Sequence, residues 1–494
     1  MNPIRHLKYS MIVASWVLLA GCAVGPDFEK PAAPQVKGYT KEPLPQTTAA
    51  TQTAGGSAQH FIVDRDLPAQ WWTLFHSEPL NRMVTQALAA NPDVQAAQAA
   101  LRAAQENVSA QQGVYMPSVS ANFSASRQKS PATLAPVPST NASVFNLFTP
   151  EVSVSYMPDV FGLNRRTVES LSAQAQMQRF QLEAAYLTLT SNVVTAAVQE
   201  ASLRGQIEAT EKIIAAQREQ LDLFKRELTL GQIAEVDVAG QESSLAQAEQ
   251  TLPPLKKQLA LQRNQLTALL GRLPSEEPAE QFELAALHLP EELPVSLPSK
   301  LVLQRPDVRA AEENLHAASA QVGVAIANRL PDINITAGMG ATALAFSQLF
   351  NAGTGLWSVA GSVAQPLFDG GTLMHKERAA RALFEEAAAQ YRSTVVAAFQ
   401  NVADTLRALQ FDAETLQAAA RAERSTARNL ELVRTQLRLG SANYLALLTA
   451  QQAYQQALIA LVQAQAARFA DTAALFQALG GGWWNREDDS PAKP

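Results

Sequence analysis

The 494-residue chain holds one cysteine, Cys22, so no disulfide can form within it. Its six histidines make no HxxxH pair and no Cys/His cluster with zinc-site spacing, which leaves a metal without a ligand set. Nucleophile elbows and phosphate loops are missing as well. The run Gly480-Gly481-Gly482 lacks the Lys-Ser/Thr of a phosphate loop and reads as a flexible helix stop. A formal net charge of −6, with no basic tract interleaved with aromatics, removes nucleic acid from the candidate partners. Long apolar runs are equally scarce: Met11 to Ala20 is too short to span a bilayer, and no other stretch qualifies. Any membrane crossing by the mature chain must therefore use strands. Catalysis has no foothold, so neither an enzyme nor a cofactor is expected. With 47% hydrophobic and 17% charged residues, the chain is neither disordered nor a polytopic helical membrane protein.

Residues 1–21 read as a secretory signal, with Arg5 and Lys8 ahead of the apolar stretch. The signal ends in Leu19-Ala20-Gly21-Cys22, which resembles a bacterial lipobox. The resemblance implies cleavage before Cys22, a diacylglycerol on its thiol and an acyl chain on the new amine. Ala23, in place of an aspartate, implies sorting to the outer membrane. Several acyl chains on one residue anchor it far more durably than one. The alternative is a lone cysteine beside an ordinary cleavage site.

The remainder is a duplicated unit. Asn91-Pro92-Asp93-Val94 recurs as Arg305-Pro306-Asp307-Val308, and Pro117 as Pro331, at offset 214. Leu230-Gly231 recurs as Leu439-Gly440, and Leu270-Gly271 as Leu479-Gly480, at offset 209. Heptad positions Tyr186, Val193, Ile207, Ile214, Leu221 and Leu228 form an apolar seam broken by Glu200. Val395, Val402, Leu409, Leu416, Leu430 and Leu437 repeat it, broken by Glu423. Sustained seven-residue spacing means coiled-coil-like packing.

The predicted order is a signal (1–21), a lipidated N-terminal segment (22–79), a first repeat (80–271), a linker (272–298), a second repeat (299–479) and a tail (480–494). The first repeat holds helices over about 80–116, 163–230 and 235–271; the second over about 299–330, 372–438 and 441–478. Each long helix would reach roughly 100 Å, matched by its two short neighbours laid end to end. Pro253-Pro254 removes two backbone donors and predicts a kink in the 235–271 helix.

Hairpins are predicted over 117–158 and 331–366. Val119, Ala121, Phe123 and Ala125 alternate with serines and an asparagine, as Val152, Val154 and Tyr156 do with Ser153 and Ser155. In the second repeat Ile333, Ile335, Ala337 and Met339, then Trp357, Val359 and Val363, occupy the apolar face. Such strands suit a barrel with lipid outside and water inside, or a soluble sheet packed on helices. Four strands cannot enclose a lumen, so a barrel must be shared: two copies would give eight strands and three twelve.

The segments Cys22-Ala23-Val24-Gly25-Pro26-Asp27-Phe28, Trp71-Trp72-Thr73-Leu74-Phe75, Pro366-Leu367-Phe368-Asp369-Gly370-Gly371 and Ala478-Leu479-Gly480-Gly481-Gly482-Trp483 resemble NodT-type outer-membrane efflux lipoproteins, over nearly the whole mature chain. The resemblance implies a TolC-like fold: a homotrimer with a 12-stranded membrane β-barrel over a long α-barrel. It implies a passive conduit for small molecules in the outer membrane, fed by an inner-membrane resistance–nodulation–division transporter through a periplasmic adaptor. It matches the turns at Gly231-Gln232 and Gly440-Ser441 to the tips that meet the adaptor; a purely structural turn would use the same glycines. Asp237 matches an aspartate near the closed entrance of TolC, but the positions of its tyrosine and arginine partners hold Leu437 and Ala442, and two aspartate-ring positions hold Ala446 and Thr449. Leu445 matches an apolar constriction, which implies a mainly hydrophobic, weakly cation-selective gate; ordinary seam packing is its alternative. A type I secretion channel shares the fold, and a structural envelope lipoprotein is the reading outside transport.

Overall fold

A computed structural model describes residues 23–43, 45–129 and 144–486. The signal segment, Cys22 and part of the first hairpin loop lie outside them. In chain order the described elements are β1 (His60–Val63), α1 (Glu78–Ala90), α2 (Pro92–Gln112), β2 (Ser118–Lys129), β3 (Val144–Tyr156), α3 (Leu163–Thr229) and α4 (Glu235–Leu269). They continue as β4 (Glu292–Val295), α5 (Pro298–Gln304), α6 (Pro306–Ala327), β5 (Asp332–Ala341), β6 (Gly355–Ala364), α7 (Thr372–Arg438) and α8 (Tyr444–Ala478). Short 3-10 turns, such as Trp71–Phe75, join several of them.

The helices follow from composition. α7 contains neither proline nor glycine, and α3 contains only Gly205. That glycine faces α8: a Cβ there would lie 3.0 Å from Val462 Cγ1. The seam residues Val193, Ile214, Val402, Leu409 and Leu416 are buried. Glu200, which interrupts the seam, is fully buried as well, and its Oε1 takes Arg204 at 2.8 Å and Arg263 of α4 at 2.7 Å. A buried charge is tolerated only when paired, so this interruption is an ion-pair site.

One expectation needs correction. The helices foreseen over 80–116 and 299–330 are each split, at Asn91 and Arg305, whose ψ angles are 125° and 122°. The following proline clashes with a helical residue before it, forcing both residues extended. The breaks are then used in equivalent ways. Asn91 Nδ2 donates to the Leu269 carbonyl and Arg305 to the Ala478 carbonyl, both at 3.0 Å, closing the ends of α4 and α8. Pro253-Pro254 do not end their helix: α4 runs on through both. Both prolines are exposed, so water can bind the two carbonyls they leave free, while buried Leu245, Ala248 and Leu266 hold the helix on either side.

The chain forms two compact units. One comprises the described part of residues 1–31 with 100–178 and 311–391, and contains the antiparallel sheet β2-β3-β5-β6. The other comprises 32–99, 179–310 and 392–486 and contains the helical tips. It also holds a parallel pair unforeseen from the sequence, β1 with β4, with His60 opposite Glu292. Trp71, Phe75, Phe469 and Phe476 form its aromatic core.

Candidate functional site: the open sheet and the helical tips

The four-stranded sheet sorts its side chains by face, row after row. Val119, Val154, Ala337 and Val359 lie in one row across all four strands, and Ala121, Val152, Met339 and Trp357 in another. The intervening rows read Ser118, Ser155, Thr336, Ala360 and Ser120, Ser153, Gly338, Ser358. One face is thus apolar and the other small and polar. The apolar face is uncovered: Val119, Met339, Trp357, Val359 and Val363 are each more than two-thirds exposed. A soluble sheet would bury this face against helices. Gly338 keeps the polar face clear, because a Cβ there would meet the Glu151 carboxylate at 2.6 Å. β2 and β6 are the outer strands, each paired on one side only.

The residues that follow Cys22 are pinned in the same unit. The Val24 N–H donates to the Phe161 carbonyl at 3.2 Å, and buried Arg166 donates to the Val24 carbonyl at 3.0 Å and to Asp27 at 2.7 Å. Phe28 stacks on His316 with ring centroids 4.4 Å apart, and Lys30 pairs with Glu312 at 2.9 Å. Cys22 itself, the expected lipid-attachment residue, lies outside the described residues.

In the other unit, α3 and α7 each end in a left-handed glycine. Gly231 has φ 70° and Gly440 φ 72°, with open space where a Cβ would stand. The Gln232 N–H reaches back to the Glu227 carbonyl and that of Ser441 to the Gln436 carbonyl, each at 2.9 Å, which closes the helix end. Both turns are exposed and equivalent at offset 209. Beside them Leu230, Val236, Leu439 and Leu445 are all exposed, two pairs at that same offset. Leu445 is 69% exposed whereas Leu447 is fully buried, so within the chain Leu445 stands outside the packed seam. Asp237 is half-buried and accepts from the Ala234 N–H at 3.2 Å, capping α4. Leu437 belongs to the core beneath the tips, packed with Ile214, Phe224 and Leu447.

The tips also contain a link missed from the sequence. The Tyr444 hydroxyl donates to Glu227 Oε2 at 3.0 Å, tying α8 to the end of α3, while its ring meets Phe224 edge-on at 4.3 Å. Burial, aided by the Glu227 carboxylate, pushes the Tyr444 hydroxyl up to about 12, so it remains a donor at physiological pH. A second such group is Asp412 on α7. Burial and the neighbouring Asp471 carboxyl push it up to about 7, against the opposing pull of fully buried Arg468. Heptad counting assigns neither position a role, because each partner lies on another helix.

Known proteins resemble this chain over most of its length. Residues 83–272 and 297–481 match the family described as outer membrane efflux protein. The toluene efflux pump outer membrane protein TtgF of Pseudomonas putida is 29% identical over 483 residues, covering 96% of each chain. Among solved structures, the outer-membrane channel OprN is 27% identical with a TM-score of 0.82, covering 94% of this chain and 100% of its own. The open state of the MtrE outer membrane channel of Neisseria gonorrhoeae is 25% identical with a TM-score of 0.80, covering 95% and 100%. The chain belongs to the outer membrane efflux protein family: it is an outer-membrane efflux channel with the TolC-like fold.

Proposed function

We propose that three copies of the chain form the outer conduit of a tripartite pump that expels small drug-like or toxic organic compounds. The observation that carries this reading is the four-stranded sheet with a bare apolar face, a small polar face and two outer edges. Such edges in lipid would leave backbone groups unsatisfied. Three sheets closed edge to edge give twelve strands, enough for a water-filled lumen where eight leave room only for side chains or a small ligand. The name of TtgF, a toluene pump component, supports an organic substrate class.

Acyl chains on Cys22 reinforce this placement. The residues after Cys22 are held at the start of α3, a short connection from the last paired residue of β3, Tyr156. At the tips, exposed Gly231, Gln232, Gly440 and Ser441 offer a surface to a periplasmic adaptor, and Leu230, Val236 and Leu439 beside them supply its anchors. Leu445, repeated threefold, forms an apolar ring that closes by dewetting, with Asp237 near it giving weak cation preference. The inner-membrane resistance–nodulation–division transporter supplies the energy, and the conduit uses no cofactor of its own.

A photo-crosslinker at Ser441 in intact cells tests the assignment. Capture of the adaptor of a resistance–nodulation–division pump is the expected result. Capture of a type I secretion adaptor would transfer the channel to polypeptide export, and a trimeric outer-membrane protein that captures no adaptor would remove the role given to the tips.

A further inference from the structure

We infer that an apolar cavity at the foot of the sheet is the seat of an acyl chain carried by Cys22, whose carbonyl accepts a hydrogen bond from Asn164 Nδ2. This rests on the acylation of Cys22 proposed above. The cavity lies within the unit that holds the sheet, where the segment after β3 and the start of α3 meet the segment before β5. Met157, Val160, Phe161, Leu163, Leu330 and Ile333 are among its walls, and its volume is about 320 Å³. At roughly 30 Å³ for a group the size of a water or a methylene, that is room for about ten, much of an acyl chain. Ile333 lies opposite Val363 on the bare apolar face of the sheet, so cavity and face share a wall residue.

The polar groups of the cavity are accounted for with one exception. Asp159 accepts from the Asn164 and Arg165 N–H groups, each at 2.9 Å, and Thr167 donates to the Leu163 carbonyl at 2.7 Å. Gln111 donates to Asn164 Oδ1, while Asn328 and Asp332 are exposed. Asn164 itself is only 8% exposed, and its Nδ2 has no partner. A buried donor left unpaired is costly. A water would need two to four polar partners, and the cavity supplies one free buried side-chain donor. A run of methylenes headed by a carbonyl matches both parts, giving apolar length to the walls and an acceptor to Nδ2.

The chain delivers Cys22 to this place. Gly162, between the wall residues Phe161 and Leu163, has φ 78°, and a Cβ on it would fall 2.7 Å from Ala23 Cα. The Val24 N–H holds the Phe161 carbonyl at 3.2 Å. Gly25, at φ 99°, lies so close to Gly323 of α6 that a Cβ would fall 2.4 Å from its Cα, and Arg166 of α3 binds Val24 and Asp27. The tail is thus fixed against α3 and α6 as far as Ala23, and the Cα of Cys22 is about 3.8 Å farther. Gly162 and Asn164 are two positions apart, at most about 7 Å. The acyl carbonyls of Cys22 begin a few bonds beyond its Cα, within that reach.

The test is the full-length chain carrying Phe161→p-benzoylphenylalanine, which keeps the ring and the carbonyl that holds Val24. It is irradiated in the outer membrane of cells fed an alkyne-bearing fatty acid, and the acyl-linked peptides are identified by mass spectrometry. The same substitution at Val359, on the bare apolar face, is the comparison. The expected result is that position 161 captures a chain still attached to the Cys22 peptide, whereas position 359 captures membrane phospholipid. Capture of phospholipid alone at position 161 would overturn the assignment. So would the lack of any acyl capture there in a chain whose Cys22 is fully acylated by intact mass. An intact mass without acyl groups would instead overturn the acylation of Cys22 itself. Asn164→Asp keeps an acceptor for Gln111 and deletes the free donor. It should cut the yield of the Cys22 adduct at position 161 severalfold and leave capture at position 359 unchanged; an undiminished yield would refute the hydrogen bond.

Discussion

Tyr444→Phe tests whether the link between α8 and α3 holds the channel entrance closed. The substitution keeps the ring, and with it the edge-on contact to Phe224, and deletes only the hydroxyl that reaches Glu227. A hydrogen bond to a charged group contributes roughly 1.5–3 kcal/mol net. The pair is only partly buried, so water competes and screens it; about 1 kcal/mol per chain is the reasonable figure. That is a factor of about five in the open–closed equilibrium for one copy. If three tips open together, the sum of about 3 kcal/mol multiplies the open population by roughly 150. The hydroxyl titrates above its ordinary 10.0, at about 12, so the contact is fully made below pH 10 and is lost only as pH rises through about 12. Between pH 5 and 9 the effect of Tyr444→Phe should therefore be constant. Open probability in planar bilayers measures it. An open probability equal to wild type in both Tyr444→Phe and Glu227→Gln would refute the link as a latch.

Two further perturbations address the gate and the interior. Leu445→Ala should raise conductance and weaken closure, since it shortens an exposed side chain that the chain's own core does not use; unchanged single-channel conductance would remove Leu445 from the constriction. Asp412 has its acidity weakened from 3.8 to about 7, so the folded state holds a proton that the unfolded state has released, and stability falls as pH rises through that window. Asp412→Asn should raise the melting temperature at pH 8 and flatten its decline between pH 5 and 8; thermal unfolding that keeps the wild-type slope would show another group to be responsible.

Much of this architecture was legible because it is written in local periods. The seven-residue spacing from Val193 to Leu221 and the two-residue alternation from Val119 to Ala125 each record which face is apolar, and the offsets 214 and 209 record the duplication. The left-handed turns were legible for the same reason: Gly231 and Gly440 sit where a helix must stop. Asn91-Pro92 and Arg305-Pro306 were visible as repeat markers, yet a helical pattern on both sides concealed the breaks they make.

What the sequence determined by itself was the class of each element, the duplicated plan and the family resemblance carried by its motifs. Tertiary structure decided whatever depends on residues distant in the chain. Tyr444 and Glu227 lie 217 positions apart, and no local period connects a hydroxyl on one helix to a carboxylate on another. Glu200 breaks a heptad pattern until Arg263 is seen beside it. Pro253-Pro254 should break an isolated helix, but the exposure of that face and the packing on either side carry α4 through it. The strand register that exposes both outer edges is likewise a property of pairing, since backbone hydrogen bonds between strands carry no signature in the residues that make them.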